Sequence, residues 1–294
     1  MYNLISNNQV DKKRWDDAIR QSDVPFVNAE SWFLDILSPG WEAIVNKDYS
    51  VLVPIPVKRK YMLRAALQPL LCQQLGVFCL PGQTIDFESI SSLLKKHYSY
   101  IDICVNKNSE QLLGKSKVKS RINHILNLDR SIEDLRCNYS KSHLKNLRRA
   151  NRHQPNIKEI SIENAIKFLK KEYVDNTDLL AKDTLDNYER MLYVAKSKVK
   201  VACLGVYIQE ELLAVATLIY TDFHMKSFYV ASGEGKSKKV LFYLIDNILC
   251  RYANTKMFFD FGGSDIDSIA YFNTGFGASP QTYYQLKWNK IPFL

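Results

Sequence analysis

The stretch VKVACLGVYIQEELLAVATLIYTDFHMKSFYVA, residues 199–231, decides the fold. It contains three apolar runs, at 199–208, 212–220 and 225–231. Short polar breaks at 209–211 and 221–222 separate them. Apolar runs of this length, interrupted by a few polar residues, are typical of strands that follow one another in space. The stretch therefore predicts three antiparallel strands joined by hairpins.

The residues around these strands complete the element order of the C-terminal half. Before the strands we predict a helix at 133–150, an extended piece at 157–160 and helices at 162–173 and 185–195. After them we predict a loop at 232–237, a helix at 240–249, a strand at 257–261, a short helix at 266–273 and a strand at 282–288. The order β-α-α-β-β-β-α-β-α-β implies a mixed sheet with both faces covered, an α/β fold.

The N-terminal half shows a looser version of the same order. Helices are predicted at 15–19, 31–37 and 87–97, and strands at 41–45, 50–56, 99–105 and 122–128. A chain of 294 residues also exceeds the usual length of one domain. We therefore predict two domains of like architecture, 1–130 and 131–294, with a cleft between them.

Composition and charge narrow the class of protein. Hydrophobic residues make up 46% and charged residues 24%, as in an ordinary globular protein. No apolar run approaches the ~20 residues that span a bilayer, and the N-terminus lacks a signal-peptide pattern, so a cytoplasmic protein is expected. The net charge of +9 favours polyanionic partners: nucleic acid, coenzyme phosphates, nucleotide-linked substrates or, peripherally, an anionic membrane face.

Cysteine and histidine patterns argue against metal or disulfide chemistry. The six cysteines are scattered without a Cys-x-x-Cys pair, and the five histidines lack metal-ligand spacing. We therefore predict no metal and no disulfide framework.

One helix concentrates positive charge. Basic residues recur at helical spacing, and no acidic residue interrupts them: Lys141, Lys145, Arg148, Arg149 and Arg152. Charge runs are usually solvated faces, and that interpretation stays open. The alternative is an anion-binding stripe, with Lys145, Arg148 and Arg149 holding a nucleotide-linked substrate, a lipid diphosphate or a tRNA acceptor arm.

Three motifs resemble a known family. The most specific is DFGGS at 260–264 followed by AYFNTGFGA at 270–278; weaker ones are YSK with NLRRA between 139 and 150, and PIPVKRK at 54–60. Together they resemble the GNAT-like N-acyltransferases of the Fem type, which attach amino acids to peptidoglycan precursors, and their acyl-CoA-using relatives. The resemblance implies two tandem GNAT-like domains. Asn273 departs from it, because the family ending usually has a lysine there, and this weighs against a peptidoglycan precursor as substrate.

The segment SGEGKSKK at 232–239 is the predicted donor loop. In GNAT folds the corresponding loop holds the coenzyme pyrophosphate, so the resemblance implies an acyl-CoA co-substrate here. Two glycines and three lysines before a helix suit an anion, because helix-terminal amides point at it. The predicted binding residues are Gly233, Gly235, Lys236, Ser237 and Lys238. An ordinary solvated loop is the open alternative.

Acylation of an amine needs a neutral amine, a polarised carbonyl and an acid for the leaving group. The resemblance implies that Tyr271 protonates the leaving group. Asp260 is a candidate to orient the amine. The substrate-binding candidates beside it are Gly262 and Gly263, which allow close backbone approach, and Ser264, which can cap the next helix. Tight-turn chemistry and aromatic packing are the alternative interpretations of these residues.

The leading functional hypothesis is direct transfer of an acyl group from acyl-CoA to a primary amine. The first alternative is aminoacyl transfer from charged tRNA to a cell-wall precursor, as in the Fem proteins. The second alternative is a non-catalytic GNAT pair that binds a nucleotide-linked ligand.

Overall fold

The computed structural model describes residues 1–60, 63–114, 117–174, 182–263 and 266–290. The chain forms two compact units, one of residues 1–121 with 282–294 and the other of residues 122–281. The boundary predicted at residue 130 separates two independently folding domains, which is a different property from compactness. This boundary and the cleft between the two domains stay predictions.

In its described residues, the first unit contains two groups of strands and three α-helices. In chain order its elements are β1 (Tyr2–Ser6), α1 (Lys12–Gln21), α2 (Ser31–Leu37), β2 (Glu42–Asn46), β3 (Val51–Ile55), β4 (Val57–Lys60), β5 (Leu63–Leu67), β6 (Phe78–Cys79), α3 (Phe87–His97) and β7 (Tyr100–Val105). Short 3-10 turns occupy Asn7–Gln9, Val27–Ala29 and Lys107–Leu113. Strands β1-β2-β3-β6 form an antiparallel sheet. The hydrophobic core of this unit includes Ile44 and Val53 from that sheet and Ile101 from β7.

The second unit is a mixed sheet with helices. Its elements are β8 (Lys117–Asn127, in this unit from Ile122), α4 (Ile132–Cys137), α5 (Lys141–Asn151), β9 (Asn156–Glu159), α6 (Ile162–Val174), α7 (Lys182–Lys196), β10 (Lys200–Ile208), β11 (Glu211–Tyr220), β12 (His224–Ala231), α8 (Gly233–Ser237), α9 (Val240–Tyr252), β13 (Phe258–Gly263) and α10 (Asp267–Thr274). The final strand, β14 (Ser279–Asn289), belongs to the first unit from Thr282. Neighbouring strands of the second unit follow the order β8-β13-β12-β11-β10-β9.

Helices cover both faces of this sheet, which explains why β11 is buried from Leu213 to Tyr220. Alternate residues of a strand face opposite sides. Thr217 on β11 contacts Tyr188 of α7 through a hydrogen bond of 2.6 Å. Ala216 and Leu218 instead belong to the cluster that contains Leu244 of α9. The mixed α/β class predicted from the three apolar runs is therefore confirmed. None of the helices in the described ranges has the length and apolar character that a bilayer crossing requires.

Strands β12 and β13 pair in parallel over a short distance and then continue without pairing with each other. The pairing joins residues His224, Met225 and Lys226 to Phe258, Phe259 and Asp260. Strand β12 continues to Ala231, paired with β11 on its other side. Residues 227–231 therefore present one strand edge that β13 does not cover, where an extended ligand could form backbone hydrogen bonds.

Two local predictions in this unit were wrong. The single helix expected at 133–150 is α4 followed by α5, because the Ser140 hydroxyl accepts the His143 backbone N–H at 3.2 Å and caps a new helix. The expected loop at 232–237 contains the single-turn helix α8, capped by the Ser232 hydroxyl, which accepts the Gly235 N–H at 3.1 Å.

The two glycines of α8 differ in their surroundings, which gives a matched pair of variants. A Cβ at Gly235 would collide with the Leu213 carbonyl oxygen, whereas a Cβ at Gly233 would meet nothing within 4 Å. We expect Gly235→Ala to lower the free energy of unfolding by about 1–3 kcal/mol, as overpacking does, and Gly233→Ala to change it by less than about 0.5 kcal/mol. Chemical denaturation measures both. Equal effects would contradict the close packing of α8 on β11.

Candidate functional site

Tyr271 lies on α10 with its hydroxyl accessible. The residue is 61% exposed, the largest value among the exposed aromatic residues described. Its Oη lies 2.8 Å from the Ser142 Oγ near the start of α5. The hydroxyl can therefore meet a ligand while a partner on another helix holds it. Its role as the acid stays a prediction.

A buried histidine lies directly behind Tyr271. His143 is 1% exposed, and its ring centroid is 6.0 Å from that of Tyr271 and 4.9 Å from that of Phe242 on α9. Its Nδ1 lies 2.8 Å from the Ser140 Oγ, and its Nε2 lies 2.9 Å from the Phe272 carbonyl oxygen. A Cβ at Gly275 would overlap the imidazole, so the glycine leaves room for it.

Sequence reasoning missed His143 because it took each histidine as a lone residue. One signal was available: two serines precede it at the start of the basic helix, and the GFG segment at 275–277 supplies the glycine that the ring needs. The contact between them joins distant parts of the chain, which spacing alone does not show.

Asp260 supports the backbone at the predicted glycine pair. The residue is 8% exposed, and its carboxylate accepts the Gly262 N–H at 2.8 Å. The register with β8 shifts between Asp260 and Gly262, and Gly262 has a φ of +80°. A bulge with a left-handed residue favours glycine. The carboxylate thus holds this bulge, and its predicted action on the amine stays a prediction.

Asn273 links the two strands where they stop pairing. The fully buried side chain accepts the Tyr229 hydroxyl at 3.0 Å through Oδ1. Its Nδ2 lies 3.4 Å from the Gly262 carbonyl oxygen. An amide both accepts and donates, whereas a lysine could only donate and would bring a charge into a buried position. An amide therefore suits this buried position. Gly263 is exposed, and Ser264 lies outside the described residues.

The predicted donor loop has a different geometry from the expected cradle. Several of its backbone amides are used inside α8 and its caps, and Lys238 forms an ion pair with Glu234. Gly233, Lys236 and Ser237 are exposed, whereas Gly235 is buried. Helix α9 begins after Lys239 without a side-chain cap. The Phe242 N–H donates to the Lys239 carbonyl oxygen at 3.1 Å, and Val240 is fully buried, so the first turn offers an anion the helix dipole and fewer amides than an open N-terminus.

The basic stripe lies on the solvent side of α5. Lys145, Arg148 and Arg149 are exposed, while His143 and Leu147 face the interior. Within the described part of the chain, no carboxylate is recorded at ion-pair distance from these three cations. The predicted stripe is therefore a continuous positive surface, and Lys145 lies about one helical turn from Ser142.

Comparison with solved structures shows which fold the chain has. The structure of FemX is 12% identical, covers 97% of each chain and superposes with a TM-score of 0.66. A tandem GNAT protein from the clavulanic acid biosynthesis pathway is 10% identical, with 98% of each chain covered and a TM-score of 0.55. A GNAT-family acetyltransferase from Colwellia psychrerythraea is 12% identical over 98% of this chain and 100% of the other, with a TM-score of 0.54.

These likenesses define the class of architecture. The chain has a tandem GNAT-like fold of the kind seen in FemX, which confirms the fold inferred from the motifs. No protein-family model and no curated protein sequence matches the chain.

Burial of three histidines gives the stability a pH dependence. Burial lowers the pKa of His124, His143 and His224 below the ordinary value of 6.5. Between the two values the unfolded chain binds more protons than the folded chain. The contribution of neutral histidine is therefore present above about pH 6.5 and is lost as the pH falls toward the folded-state pKa.

We expect His143→Gln to flatten this dependence. The amide can keep both hydrogen bonds without titrating, so the slope of unfolding free energy against pH should fall by up to about 1.4 kcal/mol per pH unit below pH 6.5. Urea denaturation between pH 5 and pH 7.5 measures the slope, with His153→Gln, at an exposed position two residues after α5 ends, as control. An unchanged slope in His143→Gln would show that this ring is not held neutral.

Proposed function

We propose that the chain is an N-acyltransferase that moves an acyl group from acyl-CoA to a primary amine by direct attack. One observation supports this most: an accessible hydroxyl and an uncapped helix N-terminus adjoin the same buried ring. Tyr271 and Phe242, which is in the first turn of α9, both lie against His143. A phosphate at the start of α9 and a reacting carbonyl near Tyr271 would thus belong to one bound donor.

The donor would extend from the start of α9 along β12. Its phosphates suit the positive end of the α9 dipole, with the exposed Lys236 nearby in sequence. The arm between the phosphates and the sulfur of coenzyme A carries amide groups. These groups can pair with the edge of residues 227–231 that β13 does not cover.

The reaction would join the amine nitrogen to the thioester carbonyl carbon and release the thiolate. Tyr271 exchanges a proton with the reacting groups, and Gly262 and Gly263 let the backbone approach the carbonyl. The chain would not itself be acylated. Asp260 holds the Gly262 N–H through Oδ1, so its first role is to keep the bulge in shape, and Oδ2 is the oxygen that would act on the amine.

The acceptor amine would bind with an anionic portion on the basic face of α5. Lys145 and Arg149 lie on the same side of the helix as Ser142, because residues three, four and seven apart share a face. A nucleotide-linked or phosphorylated amine would therefore place its charge on this surface. The same surface favours a second candidate function, aminoacyl transfer from charged tRNA, since it offers cations without nearby acids.

A ligand screen by thermal shift tests these proposals. We expect acyl-CoA to stabilise the protein, because a ligand at 100 times its Kd adds about 2.7 kcal/mol. Stabilisation by aminoacyl-tRNA alone would favour the second candidate. Stabilisation by UDP-linked muropeptides without any acyl transfer would favour a non-catalytic ligand-binding pair. No response to any acyl-CoA would contradict the proposed donor.

Removal of one hydroxyl tests the chemical role of Tyr271. Tyr271→Phe keeps the ring, which is largely exposed, so the melting temperature should change little. General acid-base catalysis typically contributes ~10²–10⁴-fold, and we expect kcat to fall by that order. Tyr193→Phe, at another exposed helical tyrosine, serves as the control. Unchanged turnover in Tyr271→Phe would remove this residue from the mechanism.

Removal of two charges tests the basic face. We expect Arg148→Ala with Arg149→Ala to weaken binding of a UDP-linked muropeptide or of tRNA, whichever stabilises the protein, by about tenfold at low salt. Lys167→Ala with Lys171→Ala removes the same charge from the exposed side of α6 and is the control. Titration calorimetry measures both affinities. Equal weakening in the two double variants would assign the effect to net charge rather than to this face.

A further inference from the structure

A chain of hydrogen-bonded side chains connects the accessible Tyr271 hydroxyl to the buried imidazole of His143. Tyr271 Oη lies 2.8 Å from Ser142 Oγ, which lies 2.9 Å from Ser140 Oγ. Ser140 Oγ in turn lies 2.8 Å from His143 Nδ1. Every distance suits a hydrogen bond. All four residues lie in the second unit, on α10 and at the beginning of α5.

The direction of each hydrogen bond follows from the buried end of this series, at His143. His143 Nε2 faces a carbonyl oxygen, which only accepts, so Nε2 bears the proton. In the neutral ring Nδ1 is then an acceptor, and the Ser140 hydroxyl must donate to it. A hydroxyl has one proton, so Ser142 must donate to Ser140, and Tyr271 must donate to Ser142. The lone pairs of Tyr271 Oη therefore face the solvent side.

We infer that Tyr271, Ser142, Ser140 and His143 form a proton relay, in which His143 accepts the proton that the acceptor amine loses and returns it to the leaving thiolate. This inference rests on the proposed function and adds Ser140, Ser142 and His143 as positioning residues that act through Tyr271. It also reverses the first step expected of Tyr271, which begins as a proton acceptor and not as an acid.

The proton balance of the step is complete. As the nitrogen–carbon bond forms, the amine proton moves to Tyr271 Oη, the tyrosine proton to Ser142, the Ser142 proton to Ser140 and the Ser140 proton to His143 Nδ1. The carbon–sulfur bond breaks and its electron pair stays on sulfur. Every hydroxyl in the relay now points outward, so Tyr271 can donate to the thiolate while His143 returns to its neutral form. The products are an amide and a thiol.

The surroundings of His143 suit a temporary proton acceptor. Helix α9 presents Phe242, α10 presents Tyr271 and Phe272, and Phe276 follows α10. Among these contacts in the described residues, Tyr271 is the one titratable group, and Lys141 and Lys145 on the ring's own helix are exposed. Burial lowers the pKa of the ring, which keeps it neutral and ready to accept near neutral pH.

Solution NMR of the full chain, without any ligand, tests the relay. Imidazole ¹⁵N shifts report the tautomer and titration of His143, and the ¹³Cζ shift of Tyr271 reports whether its hydroxyl donates or accepts. We expect the neutral Nε2–H tautomer at pH 7. On acidification, we expect Tyr271 to show a step at the same midpoint as His143, because protonation of Nδ1 reverses the relay. His143→Gln and Tyr271→Phe assign the signals.

Ser142 provides the matched variants. Ser142→Ala should leave the His143 titration in place and abolish the Tyr271 step. Ser142→Thr keeps a hydroxyl and should therefore show the Tyr271 step. Ser268→Ala, on the exposed side of α10, should not affect the Tyr271 step. Three results would overturn the relay: the Nδ1–H tautomer at pH 7, a Tyr271 step that persists in Ser142→Ala, or a His143 that stays neutral down to acid unfolding. Failure of the proposed function is a separate result, namely that the wild-type chain consumes no acyl-CoA.

Discussion

The hydrogen bond from His143 Nε2 to the Phe272 carbonyl is the interaction on which the site depends. It joins the beginning of α5 to the end of α10, parts of the chain separated by 129 positions. A second link runs in parallel, from the Ser140 N–H to the Gly275 carbonyl at 2.9 Å. Together they fix where the basic helix starts relative to Tyr271. They also fix the tautomer of the imidazole, and hence the direction of every hydroxyl that follows it.

The bulge at Gly262 and the buried amide of Asn273 leave one edge of β12 uncovered. Asp260 holds the Gly262 N–H, and Asn273 connects the Gly262 carbonyl region to Tyr229. Because these side-chain contacts hold the strands where backbone pairing has ended, the edge of β12 can stay uncovered without loss of order. The polar groups involved are buried and bonded to one another, which is the condition under which buried polar groups do not destabilise a fold.

The strongest patterns in the sequence predicted their elements well, and the weak ones did not. The three apolar strands, the two helices before them and helix α3 at Phe87–His97 were foreseen, because long periodic runs outweigh local exceptions. Strands β1, β4, β5 and β6 were missed; each has five residues or fewer and gains its stability from neighbours in the sheet. The break between α4 and α5 was missed because Ser140, a polar residue inside an otherwise helical pattern, acts as a cap.

The candidate site was foreseen in part for the same reason. Motifs located Tyr271, the glycine pair and the basic face, since these are local in sequence. The relay partners of Tyr271 come from a helix that precedes it by more than a hundred positions, and no local pattern predicts that contact. Gly235 shows a second limit of local motifs: its predicted role in ligand binding stays a prediction, and the motif did not indicate that the absence of a side chain is needed for packing against Leu213.

The central claim is that donor phosphates and the donor arm occupy the start of α9 and the uncovered edge of β12. Backbone hydrogen exchange with and without a thioether analogue of acetyl-CoA tests it most directly, because amides that gain a hydrogen bond exchange more slowly. We expect slower exchange at 227–231 and in the first turn of α9, with residues of the first unit unaffected. Slower exchange confined to residues 1–121, or none at a concentration that saturates binding, would contradict the claim.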